Sequence, residues 1–228
     1  MPKTNWRYSF INVKPVGLYG NNMELPINKI IQGDCLEILK TFPDKCVDLV
    51  LTDPPYGVDM NYDTYKDTEA NWYELMRKVI PEMLRVGKMV IFPSCQIKRL
   101  KFFYDEFPPD WLMCWYKGSV GSAGFTGFND WEPHLVYGKN NTTMHDYFRA
   151  TPEPQTNGHP CQKPVNWAGW IISRATNNEG DIVLDPFMGS GTTAVAAKQL
   201  KRKYIGIEIS KEYCKIAEDR LRRCNPLL

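Results

Sequence analysis

A chain of 228 residues, 43% of them apolar, is long enough for one α/β domain with a sizeable core and too short for two full domains with linkers. The 28 basic and 26 acidic residues leave a formal charge of only +2, so overall charge does not indicate a nucleic-acid-binding protein and any such contact must be local. The cysteines lack a C-x-x-C pair and the histidines lack metal-ligand spacing, so we predict reduced thiols and no metal site. No apolar run resembles a leader or a membrane span, so we predict one soluble, cytoplasmic domain over 1–228.

Short apolar runs rich in β-branched residues alternate with stretches of helical apolar spacing. In chain order, the pattern predicts a strand at 47–52, a helix at 72–86, a strand at 88–92, a strand at 182–184, a helix at 193–200, a strand at 204–207 and a helix from Ser210 to Arg222. This alternation predicts a doubly wound α/β sheet. Ligands of such sheets bind outside the carboxyl ends of the strands, so we expect the chemistry after Asp53, Phe92, Asp185 and Ile207.

Between these elements lie segments with other expected roles. The stretch 117–130, KGSVGSAGFTGFND, holds four glycines and predicts a long mobile loop rather than a regular element. Trp111 and Trp115, just before it, are expected in the core. The basic cluster Lys98, Arg99 and Lys101 is interpreted as a solvated helix face.

A glycine-rich segment, DPFMGSGTT at 185–193, follows a predicted strand and opens a predicted helix. Such a turn offers backbone N–H donors and lets a ligand approach closely, which predicts a cofactor loop. Its G-x-G-x-x-A pattern alone is weak evidence, because a tight structural turn has the same pattern. Glu208, 17 residues beyond Gly191, stands near the offset of a ribose-binding acid. No Lys-Ser/Thr pair follows the glycines, which excludes a P-loop.

The sharper signal is Asp53-Pro54-Pro55-Tyr56, directly after a predicted strand. Two prolines stiffen the backbone, so the Asp53 carboxylate and the Pro54 carbonyl can be held as fixed acceptors beside the Tyr56 ring. An aromatic amino group fits this arrangement. Its N–H protons would bond the two oxygens, its lone pair would become available, and its ring would stack on Tyr56. The alternative is a proline turn without a chemical role.

Three segments together, TDPPY at 52–56, HPCQKP at 159–164 and DPFMGSGTT at 185–193, resemble the permuted, β-class DNA amino-methyltransferases, also in their order along the chain. The resemblance covers roughly residues 27–224. It implies a Rossmann-like, mostly parallel sheet of seven strands with one antiparallel strand near an edge, and S-adenosylmethionine as the cofactor. The catalytic residues it implies are Asp53, Pro54, Pro55 and Tyr56.

The resemblance also assigns a cofactor site. Asp34 and Cys35 are expected to border the cofactor adenine, and Glu208 to take the ribose hydroxyls. Asp53 is expected near both the cofactor amino group and the target nitrogen, and Lys163 near the cofactor carboxylate. The remaining expected contacts come from the glycine turn, at Asp185, Phe187, Gly189, Gly191 and Thr192.

Cys161 departs from the more usual HPTQKP form of the motif. Pro160-Cys161 mimics the proline-cysteine nucleophile of cytosine C5 methyltransferases, which attack the ring through a thiolate. An amino nitrogen needs no covalent enzyme intermediate once its lone pair is available. We therefore predict direct transfer, with Cys161 as a small-residue replacement.

DNA recognition is expected in the segment 117–158, with Lys117 on a phosphate and with Phe125 and Phe128 beside an extruded base. His134 and His145 are interpreted as packing or surface residues. The expected partner is DNA. The resemblance leaves open a homodimer and a separate restriction endonuclease, and it is consistent with a bacterial, archaeal or phage-encoded enzyme.

Adenine N6 is the predicted target atom, because relatives acting on cytosine N4 more often have serine where this chain has Asp53. Cytosine N4, or an RNA base or protein amide, is the nearer alternative. A nicotinamide oxidoreductase would leave the DPPY segment unexplained, and a non-catalytic binding module would be expected to lose Asp53 or Tyr56.

Overall fold

The computed structural model describes residues 24–60, 65–94, 96–118, 122–123, 127–151 and 163–225. The strands are β1 Lys29–Gln32, β2 Val47–Leu51, β3 Gly87–Pro93, β4 Trp111–Tyr116, β5 Ser122–Ala123, β6 Phe128–Asn129, β7 Trp131–Tyr137, β8 Tyr147–Arg149, β9 Ile182–Asp185 and β10 Lys203–Glu208. The α-helices are α1 Cys35–Leu39, α2 Glu69–Val86, α3 Leu100–Glu106, α4 Val165–Ala175, α5 Thr192–Gln199 and α6 Lys211–Arg223, and a 3-10 turn at Ile97–Arg99 precedes α3.

The main sheet has the strand order β1-β10-β9-β2-β3-β7-β4-β8. Only β7 runs antiparallel to its neighbours, β3 and β4, and every other pairing in this sheet is parallel. The predicted doubly wound α/β class is confirmed. Within the described residues the sheet has eight strands rather than the expected seven, because the three residues of β8 pair with β4 at the sheet edge.

Both faces of the sheet are covered, which explains the nearly continuous apolar composition of the central strands. On one face, Val50 of β2 packs in a cluster with Trp72 and other residues of α2. On the other face, Leu49 of the same strand packs with Trp167 and other residues of α4. Successive side chains of a strand point to opposite faces, so β2 contributes to two cores at once.

Local sequence signals set the helix ends. The Thr68 hydroxyl accepts from the Asn71 amide at the start of α2, and the Ser210 hydroxyl accepts from the Tyr213 amide at the start of α6. The predicted strands and helices are found with ends shifted by at most three residues. Among the residues described, no helix is both long and apolar enough to cross a membrane.

Three expectations are wrong. Trp111 is 59% exposed, because it lies at the start of β4 beyond the part that β8 covers, and its indole N–H donates to Asp146. Arg99 is only 1% exposed, because its guanidinium stacks on the Trp72 ring instead of facing water. The stretch 117–130 contains a two-stranded pair, β5 and β6, and is not wholly loop. Trp115 is buried, as predicted.

Candidate active site

Four acidic residues lie at the carboxyl ends of four adjacent parallel strands. Asp34 follows β1, Glu208 ends β10, Asp185 ends β9 and Asp53 follows β2. Neighbouring strands are about 4.8 Å apart, so this row of acids spans roughly 14 Å. The sheet therefore brings both predicted parts of the site, the glycine turn and the DPPY segment, to the carboxyl end of its parallel strands.

The glycine turn after β9 is tied to the end of β10 by Glu208. Its carboxylate accepts hydrogen bonds from the amides of Gly189 at 2.7 Å and Ser210 at 2.8 Å. Gly189 and Gly191 have φ of 52° and 87°, a region that favours glycine. A Cβ at Gly191 would also come within 2.8 Å of the Ala217 Cβ. The backbone at this turn is therefore held in a shape that favours glycine, and at Gly191 a side chain would also clash with α6.

Asp185, at the start of the turn, is engaged within the protein. Its Oδ1 accepts from the Thr52 hydroxyl at 2.6 Å and from the Phe187 amide at 3.1 Å. Burial raises the pKa of Asp185 to about 7, against the lowering effect of these hydrogen bonds. The carboxyl group thus joins the ends of β2 and β9 and shapes the turn.

The remaining predicted cofactor residues lie around the same edge. Asp34 is exposed and caps α1 by accepting from the Leu36 amide. Cys35 behind it is buried, and burial together with the nearby Asp34 charge raises its pKa to about 12, so the thiol stays neutral. Thr192 donates through its hydroxyl to the Lys163 carbonyl at 3.2 Å, which links the glycine turn to the segment that carries Lys163.

Four side chains form a polar group beside β2, called here the Asp53 cluster: Asp53, Tyr56, Glu132 and Lys163. The Tyr56 hydroxyl donates to Asp53 Oδ1 at 2.5 Å. The Lys163 ammonium donates to the Tyr56 Oη and to Glu132 Oε1, both at 2.7 Å, and lies 3.6 Å from Asp53 Oδ1. The side chains of Glu132 and Lys163 are 8% and 11% exposed, so their charges are paired away from bulk water.

The electrostatics of the Asp53 cluster separate its two carboxylates. Burial raises the pKa of Asp53 to about 6, the nearby Lys163 charge opposes this shift, and the Glu132 charge adds to it. Burial, the largest single effect, disfavours the Glu132 carboxylate, but the charge and hydrogen bond of Lys163 and the other nearby basic groups together outweigh it and lower the pKa of Glu132. Glu132 therefore stays ionised, while Asp53 can exchange a proton near neutral pH.

Two buried aromatic side chains support Glu132 from behind. The Trp167 indole N–H donates to His134 Nε2 at 2.8 Å, which assigns the His134 proton to Nδ1. Nδ1 lies 3.1 Å from the Glu132 carbonyl oxygen and donates to it. Burial lowers the pKa of His134 to about 4, so the ring is neutral, as this chain of hydrogen bonds requires.

The structure thus brings the predicted catalytic residues to the edge of the predicted cofactor turn. Lys163 was expected at the cofactor carboxylate, and its ammonium is found against Tyr56 and Glu132. Lys117 lies 4.0 Å from Glu132 Oε2 with a side chain only 20% exposed. Phe125 and Cys161 fall outside the described residues, and of Phe128 only the backbone is described, in β6.

The sequence reading missed Glu132. The signal was present, because β7 has the sequence WEPHLVY and an acid within a mostly apolar strand requires a partner if it is buried. Its partner, Lys163, is 31 residues away in the chain and lies outside the helices and strands, just before α4. Among the residues that the structure describes, no group of three or more histidine, cysteine, aspartate or glutamate side chains is placed to hold a metal ion.

Residues 111–219 match the family model described as DNA methylase. The DNA adenine methyltransferase YhdJ of Escherichia coli K12 is 31% identical to this chain over an alignment 245 residues long. The alignment covers 84% of this chain and 82% of YhdJ. The solved structure of the M1.HpyAVI-SAM complex shares 29% identity, with a TM-score of 0.62, and the match covers 85% of this chain and 98% of that one.

The PvuII DNA methyltransferase, named cytosine-N4-specific, has a similar fold. Its TM-score is 0.64 at 19% identity, over 84% of this chain and 85% of that one. At this level of identity the likeness concerns the fold alone.

Proposed function

Because this chain belongs to the family of DNA methylases, we propose that it transfers the methyl group of S-adenosylmethionine to the exocyclic N6 of adenine in DNA. The observation that carries the proposal is the position of the Asp53 cluster, at a strand end next to the glycine turn that Glu208 holds. The target amino group, bound at the Asp53 cluster, and the methyl group of the cofactor, bound at the glycine turn, would then meet at the carboxyl end of the sheet.

The residues of the glycine side fit S-adenosylmethionine. Gly189 and Gly191 form a tight turn with positive φ at the start of α5, where backbone amides can face a ligand, and Glu208 presents a carboxylate that can accept ribose hydroxyl protons. Asp34, exposed just after β1, would border the adenine ring. The cofactor, when bound, supplies a methyl group activated by attachment to a positively charged sulfur.

The Asp53 side fits a flat amino-substituted ring. The Asp53 carboxylate and the Pro54 carbonyl accept the two amino protons, which makes the nitrogen lone pair available for attack. The new nitrogen–carbon bond forms as the sulfur–carbon bond breaks, with the electron pair leaving on sulfur. The surplus amino proton passes to Asp53, whose pKa of about 6 suits it to accept a proton near neutral pH.

This chemistry requires the base outside the duplex. The target base is extruded and stacks on the Tyr56 ring, which binds the flat face of any base. On binding, the base amino group replaces the Tyr56 hydroxyl as the donor to Asp53. Lys163 remains as a donor to the ring nitrogen beside the amino group, and Glu132 holds it there. Adenine N1 and cytosine N3 both accept such a bond, so Lys163 does not select between the two bases.

Adenine is preferred for two other reasons. YhdJ, at 31% identity, is named as an adenine methyltransferase. Asp53 also stands where cytosine-N4 relatives of the family that the sequence resembles more often have serine. Direct transfer needs no cysteine nucleophile, so Cys161 is assigned no chemical role. DNA contacts by the segment 117–158, a homodimer and a paired restriction endonuclease remain predictions.

The proposal is tested by the identity of the methylated nucleoside. DNA is incubated with the protein and S-adenosylmethionine labelled in the methyl group, then digested to nucleosides and analysed by mass spectrometry. We expect labelled N6-methyladenine. Labelled N4-methylcytosine would instead refute the choice of base and retain the amino-methyltransferase. No labelled nucleoside, on duplex and single-stranded DNA of varied sequence, would refute the DNA substrate.

The methylation rate should depend on pH through Asp53. The carboxylate must be ionised to accept the amino proton, and its pKa of about 6 lies above the ordinary value, so kcat/KM should be constant above about pH 7. Below about pH 6, kcat/KM should fall roughly tenfold for each pH unit. The measurement is the pH profile of methyl transfer between pH 5 and 8.

Asp185 titrates in a similar range, with a pKa of about 7, and provides the control. Asparagine at position 185 keeps an oxygen for the Thr52 hydroxyl and the Phe187 amide, so Asp185→Asn should retain the decline below pH 6. If this variant loses the decline, Asp185 rather than Asp53 is the titrating group.

A further inference from the structure

The backbone that follows the DPPY segment is held from both sides by two buried charged residues. Asp67 and Arg99 are 2% and 1% exposed, and neither belongs to the Asp53 cluster. Asp67 precedes α2 and Arg99 ends the 3-10 turn after β3, so they reach the segment from two different elements.

Each of two consecutive peptide groups is bonded at both ends. In the peptide between Tyr56 and Gly57, the carbonyl accepts from Arg99 Nη2 at 3.4 Å and the amide donates to Asp67 Oδ1 at 2.7 Å. In the peptide between Gly57 and Val58, the carbonyl accepts from the same Nη2 at 3.1 Å and the amide donates to Asp67 Oδ2 at 3.1 Å. A third amide, of Met60, also donates to Asp67.

The arrangement depends on Gly57 and Trp72. Gly57 has φ of 63°, and a Cβ there would lie 2.7 Å from the Trp72 Cβ and 3.0 Å from Arg99 Nη2. The Arg99 guanidinium carbon lies 4.1 Å from the Trp72 ring centroid, so the ring fixes the plane of the guanidinium. The segment is therefore confined against α2 with little freedom to move.

The burial of Arg99 is not explained by stability alone. Within the described part of the chain, its Nε and Nη1 are buried without a hydrogen-bond partner, and its ion pair with the half-exposed Glu69 is 3.5 Å long. A buried charge with incomplete hydrogen bonding destabilises a fold compared with an apolar side chain of similar size. What Arg99 provides instead is a pair of bonds to the carbonyl groups that directly follow the Tyr56 side chain.

We propose that Asp67 and Arg99 are positioning residues of the methyl-transfer site, which fix the Tyr56 ring through the two peptide groups after it. This inference rests on the proposed function for its effect on rate. Tyr56 has to present its ring to the extruded base and release its hydrogen bond to Asp53, and both need a fixed backbone. A displacement of about 1 Å at a site of this kind can lower a rate by about 100-fold.

The test uses Arg99→Met, which keeps the length and apolar contact of the side chain and removes both carbonyl bonds. We expect the single-turnover rate of methyl transfer to fall by roughly 10- to 100-fold, with the affinity for S-adenosylhomocysteine changed by less than about twofold. Arg77→Met is the matched control, because Arg77 also lies over the Tyr73 ring but is half-exposed and bonds Glu106 instead of the segment. It should leave the rate unchanged.

A double-mutant cycle separates positioning from general loss of structure. If Arg99 acts through Tyr56, adding Arg99→Met to Tyr56→Ala should lower the rate by less than about twofold further. Additive losses would overturn the proposal. Should Arg99→Met fail to fold, Asp67→Asn is used in the same cycle, since it removes the charge and one of the two acceptor oxygens with little change in volume.

Hydrogen exchange tests the arrangement independently of the reaction. The amides of Gly57 and Val58 should be protected in the unaltered protein and should exchange at least about tenfold faster in Arg99→Met and Asp67→Asn. This result does not require methyl transfer, so failure of the proposed function would leave it standing. Equal protection in all variants would show that neither side chain holds the segment.

Discussion

Replacing Asp53 by alanine is expected to lower the single-turnover rate of methyl transfer by roughly a thousandfold or more at saturating cofactor. The variant loses both an acceptor for the amino proton and the group that takes up the surplus proton, and each such loss commonly lowers a rate by about 100-fold or more. Removing a carboxyl group that burial disfavours should not destabilise the fold strongly. The measurement is a rapid-quench assay with labelled cofactor, together with thermal unfolding.

Two further variants make this result specific. Asp53→Asn keeps one acceptor oxygen in place and should lose less activity than Asp53→Ala. Asp44→Ala removes an exposed carboxylate just before β2, at the opposite end of the strand that Asp53 follows. Its rate of methyl transfer should stay within about twofold of the original. A folded Asp53→Ala protein with more than about a tenth of the original rate would show that Asp53 does not carry the chemistry.

Glu132→Gln is expected to destabilise the protein by about 3 kcal/mol, because it leaves the Lys163 ammonium in a buried position without its strongest partner. The rate should also fall, since Lys163 would no longer be held beside Tyr56. The free energy of unfolding from urea titration and the single-turnover rate are the two measurements.

The double variant Glu132→Gln with Lys163→Met distinguishes the two effects. Removal of both charges should restore most of the lost stability, because a buried pair replaced by uncharged groups often leaves a fold as stable as before. The rate should remain low, since the donor to the base is gone. Glu106→Gln is the control for stability, because its exposed pair with Arg77 contributes only about 0–1 kcal/mol. Stability unchanged in Glu132→Gln alone would contradict the buried ion pair.

The parts of the site carried by contiguous residues were predictable. Asp53-Pro-Pro-Tyr56 and the glycine turn at 185–193 each follow an apolar strand, and in a parallel sheet the ends of such strands lie along one edge. The tight turn at Gly189 and Gly191 could be predicted for a similar reason, because the ability to adopt positive φ is a property of the single residue. These features depend on interactions within a few residues of each other.

The sequence by itself determined the doubly wound fold, the motif order and the strand-end position of the acids, because local periodicity and turn chemistry are written in neighbouring residues. Only the tertiary structure decided which charges are buried and what they contact. Lys163, just before α4, meets Glu132 of β7 across 31 positions. Arg99, after β3, reaches Gly57, after β2, across 42 positions because these two strands pair. A charged side chain carries no local mark of burial, since desolvation is set by distant elements that pack over it.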